Sequence, residues 1–222
     1  MAGRPRTRLR WLACPEQPPT GGWLGGDPRG WRGCVIRYER DHPGELIHVD
    51  VKKLGRIPDG GGWRVPGREQ RRATKRGNGY DYLHVAFDDH THIAFVQIHP
   101  DEKGTTCAQF ITDAFAFYDQ LGSTVERVMT DNAKNHTVSA AFQAALGDRR
   151  YKTTRRYRPQ TNGKAERFDR TLLDEWAYAR VFDSGNDERP ATLNDWLTDD
   201  NWVRTHSALG NHPPASRLPS TT

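Results

Sequence analysis

Apolar and polar positions first alternate at "ELIHVDV", residues 45–51, where Ile47, Val49 and Val51 fall on one side and His48 and Asp50 on the other. That two-residue period predicts a short strand. "YDYLHVAFDD" and "THIAFVQIHP" carry the same signal around "DDHT" and predict an antiparallel hairpin. The period then lengthens. Across residues 104–122, Phe110, Ala114, Phe117 and Leu121 recur at helical spacing, with Thr105 near the start and Gly122 at the stop. "VERVMTD" predicts a fourth strand ending on Asp131, "TVSAAFQAALG" a helix closed by Gly147, and "RYKTTR" a fifth strand. A long helix is expected from about Thr161 to Val181, and a last one over roughly 191–203.

Three strands, then helix, strand, helix, strand and helix make an α/β domain: a mixed five-stranded sheet flanked by helices. That order matches the ribonuclease H-like architecture. Residues 1–44 contain "PPTGGWLGGDPRGWRG", follow neither hydrophobic period, and are expected to form an irregular or disordered extension. The core is expected over 45–183 and a C-terminal helix and tail over 184–222. Inside the core, "GRIPDGGGWRVPGREQRRATKRGNG" predicts a flexible loop or irregular hairpin.

Composition narrows the class. With 222 residues and a hydrophobic share of 35%, the chain has room for one ordinary domain plus extensions. It contains no run of about 18 apolar residues, so no transmembrane helix is expected, and its basic start lacks the apolar stretch of a secretory signal. Cys14, Cys34 and Cys107 show no paired spacing, which gives neither a disulfide framework nor a zinc-ligand set and points to a reducing, cytoplasmic setting. A net charge of +5 and a pI near 9.2 modestly favour an anionic partner such as nucleic acid.

Three carboxylates stand where such a fold can bring them together: Asp50 in the first strand, Asp131 at the end of the fourth, and Glu166 early in the long helix. Three oxygen donors suit Mg²⁺ or Mn²⁺, hard cations that keep positions open for water and phosphate oxygens. Two such ions, about 4 Å apart, can activate an attacking hydroxyl and stabilise a leaving oxygen at phosphorus. Each acid also has a plainer reading. Asp131 can cap a turn, Glu166 can pair with Lys164 or Arg170, and only Asp50, among apolar neighbours, is costly to leave unpaired.

"HVDV", "TDNAKN" and "RPQTNGKAERFDRTL" resemble the three acidic motifs of the integrase catalytic core shared by retroviral-type integrases and bacterial insertion-sequence transposases. "THSALGNHPPASRL" resembles the segment after that core in the bacterial enzymes, and residues 132–165, between the second and third acids, match the family's separation. The resemblance implies a metal-binding triad of Asp50, Asp131 and Glu166 and one or, more fittingly, two Mg²⁺ or Mn²⁺ ions. It implies DNA cleavage and strand transfer by direct transesterification, on element ends and target DNA, by a homo-oligomer. The cations before and within the third motif, Arg155, Arg156, Arg158, Lys164 and Arg167, would meet phosphates, with Gln160 and Asn162 on the strip of Glu166. Arg149, Arg150 and Lys152 extend that basic run, and Arg68, Arg71, Arg72, Lys75 and Arg76 form a weaker candidate for the same role.

The departures are equally specific. Ala133 stands where the family often has glycine, which would strain a turn with positive φ. Lys52 and Lys53 follow the first Asp, where a small hydroxyl residue is common; they would shield the site or touch phosphate. The usual N-terminal helix-turn-helix domain has no counterpart in residues 1–44, whose composition resembles a frame-shifted reading joined near residues 35–38. A truncated non-catalytic DNA-binding remnant or regulator is therefore the alternative, and a nuclease acting on RNA–DNA hybrids a third. His84, His90, His92 and His99 along the hairpin offer a histidine metal site, without Cys partners or fixed ligand spacing. Trp176, Tyr178 and Phe182 on the long helix read as core or subunit contact rather than base-stacking groups.

Overall fold

The computed structural model describes residues 40–57, 79–154, 163–179, 182 and 185–219, and the unit that carries the sheet runs from His42 to Thr222. Its strands are β1 (Ile47–Gly55), β2 (Tyr80–Asp88), β3 (Ala94–His99), β4 (Arg127–Thr130) and β5 (Arg150–Thr153). They form one five-stranded sheet in the order β3-β2-β1-β4-β5. β1 and β2, and β2 and β3, are antiparallel, whereas β4 runs parallel to both β1 and β5. This is the mixed α/β, ribonuclease H-like sheet that the element order predicts.

Alternation along β1 decides what each face holds. Ile47 and Val49 join Ala86, Val128 and the apolar stripe Phe110, Ile111, Ala114 and Tyr118 of α1 (Gly104–Gln120). The opposite face carries His48, Asp50, Lys52 and Leu54. There Leu54 packs with Leu83, Val85 and Phe87 against Ala165, Phe168 and Leu172 of α4 (Gly163–Leu172). Each face thus has its own apolar cluster, and His48, Asp50 and Lys52 of β1 lie on the side that α4 covers. Burial of this kind stabilises at about 25 cal/mol per Å² of apolar surface.

The hairpin turn is built around Asp88. Its carboxylate accepts Thr91 N–H at 2.9 Å, Thr91 Oγ1–H at 2.6 Å and Gly44 N–H at 3.2 Å. Gly44 has a φ of +77°, and a Cβ there would stand 2.3 Å from the Thr124 carbonyl oxygen, so both conformation and space require glycine.

The helices differ from expectation at their ends. The second predicted helix, "TVSAAFQAALG", is α3 (Ala140–Leu146), which starts later than expected because Ser139 caps it by accepting Phe142 N–H; a short unpredicted α2 (Lys134–Thr137) precedes it. The long helix is α4 followed by one wider turn, Leu173–Ala177, that closes when Tyr178 N–H reaches the Leu173 carbonyl. Before the last predicted helix, α5 (Gly185–Ala191) forms where no helix was expected. The last predicted helix is α6 (Leu193–Thr198), extended by a second wide turn to Val203. Trp176 and Phe182 are buried, as expected of core, while Tyr178 is 41% exposed. No helix among the described residues is long and apolar enough to cross a membrane.

Asn201 secures the exposed edge of β3. Its amide donates to the Ala94 carbonyl at 2.9 Å and its side-chain oxygen accepts Ala94 N–H at 2.9 Å, which blunts the edge as a further strand would. Asn201→Ala leaves two buried main-chain groups without partners. Urea unfolding of that variant should show a loss of roughly 2–4 kcal/mol. A change under about 0.5 kcal/mol would mean that the edge is satisfied in another way.

Candidate active site

Strands β1 and β4 part company at the site. Their parallel pairing ends at Val49 opposite Thr130, so Asp50 and Asp131 are the next residue on each strand. Asp131 therefore stands just past the carboxyl end of β4, beside Asp50 in the middle of β1, which runs on to Gly55 against β2 alone; the carboxyl end of a parallel strand is where open α/β sheets bind ligands. Beyond the split, Val51 N–H has no β4 carbonyl to meet and donates to Asp50 Oδ1 at 2.8 Å. Asp50 is 7% exposed.

Its other oxygen meets a cation: Lys52 Nζ lies 2.6 Å from Asp50 Oδ2 and 3.5 Å from Asp169 Oδ2. Asp169, on α4, is 2% exposed, and neither of its carboxylate oxygens has a hydrogen-bond partner among the described residues. Burial, and then the neighbouring Asp50 charge, raise the Asp169 carboxyl well above its ordinary range. The Lys52 ammonium is moved upward: burial opposes the charged form, but Asp50 and Asp169 outweigh it.

Asp131 is half-exposed. Oδ1 accepts Ala133 N–H at 3.0 Å and lies 3.4 Å from Nδ1 of the buried His136. Its carboxyl is lowered, chiefly by His136, with Ala133 N–H and the Lys52 charge adding to the effect against burial. The turn predicted from Asp131 is therefore real and does not compete with a ligand role, since Oδ2 stays outside it. Ala133 has φ −64° and ψ 142°, ordinary extended backbone, so the strain expected from replacing glycine is absent.

Glu166 stands one turn before Asp169 on α4, and the (i, i+3) spacing puts the two on one strip. It is exposed and lines an open groove of about 460 Å³ with Gly163, Arg167, Arg170 and Thr171. Among the described residues, no three His, Cys, Asp or Glu side chains are drawn together as a metal cage. The structure thus sets Asp50 beside Asp131 and joins Asp50 to Asp169 through Lys52; Glu166 is on the adjoining helix turn, facing solvent. The site nonetheless fits a hard divalent cation, because it offers carboxylate oxygens alone and two of them are buried with no hydrogen bond. Sequence reasoning missed Asp169; the signal was an acid three residues after Glu166, on the same helical strip.

Of the residues expected to meet phosphate, Arg155, Arg156, Arg158, Gln160 and Asn162 lie outside the described residues, as do Arg68, Arg71, Arg72, Lys75 and Arg76. Arg167 is exposed. Lys164 turns inward, its ammonium donating to Asp89 Oδ2 at 3.0 Å and to the Asp89 carbonyl at 2.8 Å. Asp89 also meets His48 Nε2 at 3.1 Å. Burial alone would raise the Asp89 carboxyl, but His48 and Lys164 outweigh it and bring it down to about 2. Arg150 and Lys152 are exposed on β5, and alternation from the inward-packed Tyr151 puts both on the sheet face of Asp50. Arg149 instead lies over the Phe115 ring at 3.8 Å.

The hairpin histidines are divided between the two sides of the sheet. His84 and His99 meet edge to face, 4.8 Å between ring centres, against Phe110, whereas His92 packs on Phe87. His84 Nε2 is bonded to the Asp101 carbonyl at 3.0 Å, which is a core role.

Residues 148–214 match the family model described as Integrase core domain. Among solved structures, a chain of the simian T-cell lymphotropic virus intasome in complex with PP2A regulatory subunit B56 gamma superposes with a TM-score of 0.60 at 17% identity, covering 83% of this chain. The present chain spans 58% of that one. The magnesium-bound HTLV-2 integrase catalytic core, in its trimeric form, gives 0.55 at 16% identity over 81% of this chain and 99% of that chain. The BIV integrase catalytic core gives 0.53 at 19% identity over 78% and 92%. The fold is that of integrase catalytic cores.

Proposed function

We propose that this chain is the catalytic core of a DDE-type transposase or integrase of bacterial insertion-sequence type, cutting and joining DNA by Mg²⁺- or Mn²⁺-dependent transesterification. The observation that carries the reading is the placement of Asp50 and Asp131 one residue beyond the last β1–β4 pair, on the sheet face covered by the helix that bears Glu166 and the buried Asp169. Asp50 and Asp131 would hold the metal, with Glu166 closing the set from α4. Bound there, one or two divalent ions would supply Lewis-acid activation of the attacking hydroxyl and neutralise charge on the leaving oxygen.

The chain's own residues do the rest. His136 and Ala133 N–H hold Asp131 ionised and fixed in a half-exposed position that a phosphodiester can approach. Arg150 and Lys152 on β5 and Arg167 on α4 are exposed cations, proposed to meet phosphate, and Arg155, Arg156, Arg158, Gln160 and Asn162 are proposed to extend the DNA contact. Contacts of this type add affinity through counterion release with little sequence preference. Lys164, engaged with Asp89, is proposed to position the start of α4 and reach phosphate only after leaving that carboxylate. Self-association on paired DNA ends is part of the same proposal, supported by the trimeric and dimeric forms of the HTLV-2 integrase catalytic core.

The test is nicking of supercoiled plasmid, and of labelled duplexes with candidate element ends, by the purified chain. Nicking is expected with Mn²⁺ or Mg²⁺ and should vanish with EDTA. A folded chain that nicks equally in EDTA, or binds DNA and never nicks, overturns the enzymatic reading. The second outcome is that of a non-catalytic DNA-binding remnant, a reading favoured by the lack of a three-donor cage among the described residues.

A further inference from the structure

The side chain nearest the proposed ligands is a cation. Lys52 follows Asp50 by two residues on β1, so both side chains leave the same face of the sheet, toward α4. The ammonium spans the gap between strand and helix, 2.6 Å from Asp50 Oδ2 and 3.5 Å from Asp169 Oδ2. Asp169 has no other ion-pair partner among the described residues, and its carboxylate is almost wholly buried. A divalent ion on Asp50 would sit about 2.0–2.1 Å from a carboxylate oxygen if it were Mg²⁺. Such an ion cannot share that oxygen with an ammonium at hydrogen-bond distance without severe repulsion between the two cations.

We infer that Lys52 is a tethered cation occupying the divalent-ion position of the resting site, held there by Asp50 and Asp169 and displaced when metal binds. Its stem makes this feasible: the side chain is 34% exposed, so a change of rotamer carries the ammonium toward solvent without crossing the core. Three consequences follow from the geometry. The repulsion between the facing carboxyl groups of the empty site is partly offset, because a single positive charge lies between them. Metal affinity is reduced by the cost of evicting that charge. The evicted ammonium emerges at the mouth of the site, where a phosphate oxygen is the natural new partner, so metal and DNA would each favour the other's binding.

The inference rests on the metal-site reading above, and direct binding separates the two. Free Mn²⁺ is followed by its electron paramagnetic resonance signal as it is titrated with the purified full chain, Lys52→Met, Lys52→Gln and Asp50→Asn, without DNA. Circular dichroism checks each fold, and the glutamine variant stands in if methionine disrupts folding. Both Lys52 variants should bind Mn²⁺ at least fivefold more tightly than the unaltered chain, with Asp50→Asn losing the site. Equal or weaker binding by the Lys52 variants, with Asp50→Asn still losing it, overturns the tethered-cation inference and leaves the metal site standing. Absence of Mn²⁺ binding by the folded unaltered chain and by both Lys52 variants overturns both.

Discussion

Asp50→Asn should lower metal-dependent DNA nicking by roughly a thousandfold or more while leaving the fold intact. The amide has the shape of the carboxylate, and its oxygen can still accept Val51 N–H at the 2.8 Å position, so the strand geometry survives. What disappears is the negative charge beside Lys52 and the hard oxygen donor for the cation. If the metal contributes several kcal/mol of transition-state stabilisation, its loss at 1.36 kcal/mol per decade amounts to about three powers of ten. Asp131→Asn should behave alike, since asparagine retains the acceptor for Ala133 N–H.

The informative comparison lies on α4. Glu166→Gln tests the third ligand that the motif designates, and Asp169→Asn the carboxylate that the structure places against Lys52. A loss with Glu166→Gln as large as with Asp50→Asn assigns the third ligand to Glu166, and metal binding must then draw that side chain in from the groove. A full loss with Asp169→Asn alone transfers the role one helical turn. Asp195→Asn, exposed on α6 away from this strip, is the control and should retain activity. Nicking by Asp50→Asn at the unaltered rate would remove the site altogether.

That contrast also shows what the sequence makes legible. Asp50 could be placed because period-2 alternation around Ile47, Val49 and Val51 assigns it to the opposite face. Asp131 could be placed because the strand-like stretch "VERVMTD" ends on it. The element order predicted a mixed sheet but not its strand order; that β1 lies beside β4, which brings Asp50 next to Asp131, comes from the structure. Long-range electrostatics were not legible. Strand alternation puts Lys52 on the face of Asp50 and Lys53 on the other, but nothing local shows that Lys52 bridges Asp50 to a helix far along the chain. The same holds for Lys164, which reads as a phosphate contact beside Arg167 until the fold brings Asp89 to it. Helix ends were missed for a related reason: the wide turns at Leu173–Ala177 and Asp199–Val203 follow from packing rather than from a Gly or Pro signal.

The second large effect is acid lability carried by two buried histidines. Burial holds the His84 imidazole down to about 4 and the His92 imidazole down to about 3, from 6.5. Both are neutral in the folded chain at pH 7, and His84 has no bonded partner for a proton on Nδ1 among the described residues. Once pH falls below 6.5, the unfolded chain binds protons at these positions that the folded chain refuses. Stability is therefore fully present above 6.5 and is lost as pH falls toward 4 for His84 and toward 3 for His92. Each contributes a slope of up to about 1.4 kcal/mol per pH unit, a total on the order of 3 kcal/mol for His84 and on the order of 5 kcal/mol for His92. That is a large share of the roughly 5–15 kcal/mol that holds a domain together. The buried carboxyls of Asp88 and Asp169, moved upward, act in the opposite direction over part of this window. A bare melting curve would therefore understate the histidine effect. Subtraction removes that background: urea midpoints measured from pH 7 to 4 should fall less steeply for His84→Phe than for the unaltered chain. His92→Asn should behave likewise, its side chain being compatible with the +70° φ at that position. Parallel curves for both variants and the unaltered chain would show that neither imidazole is buried in its neutral form.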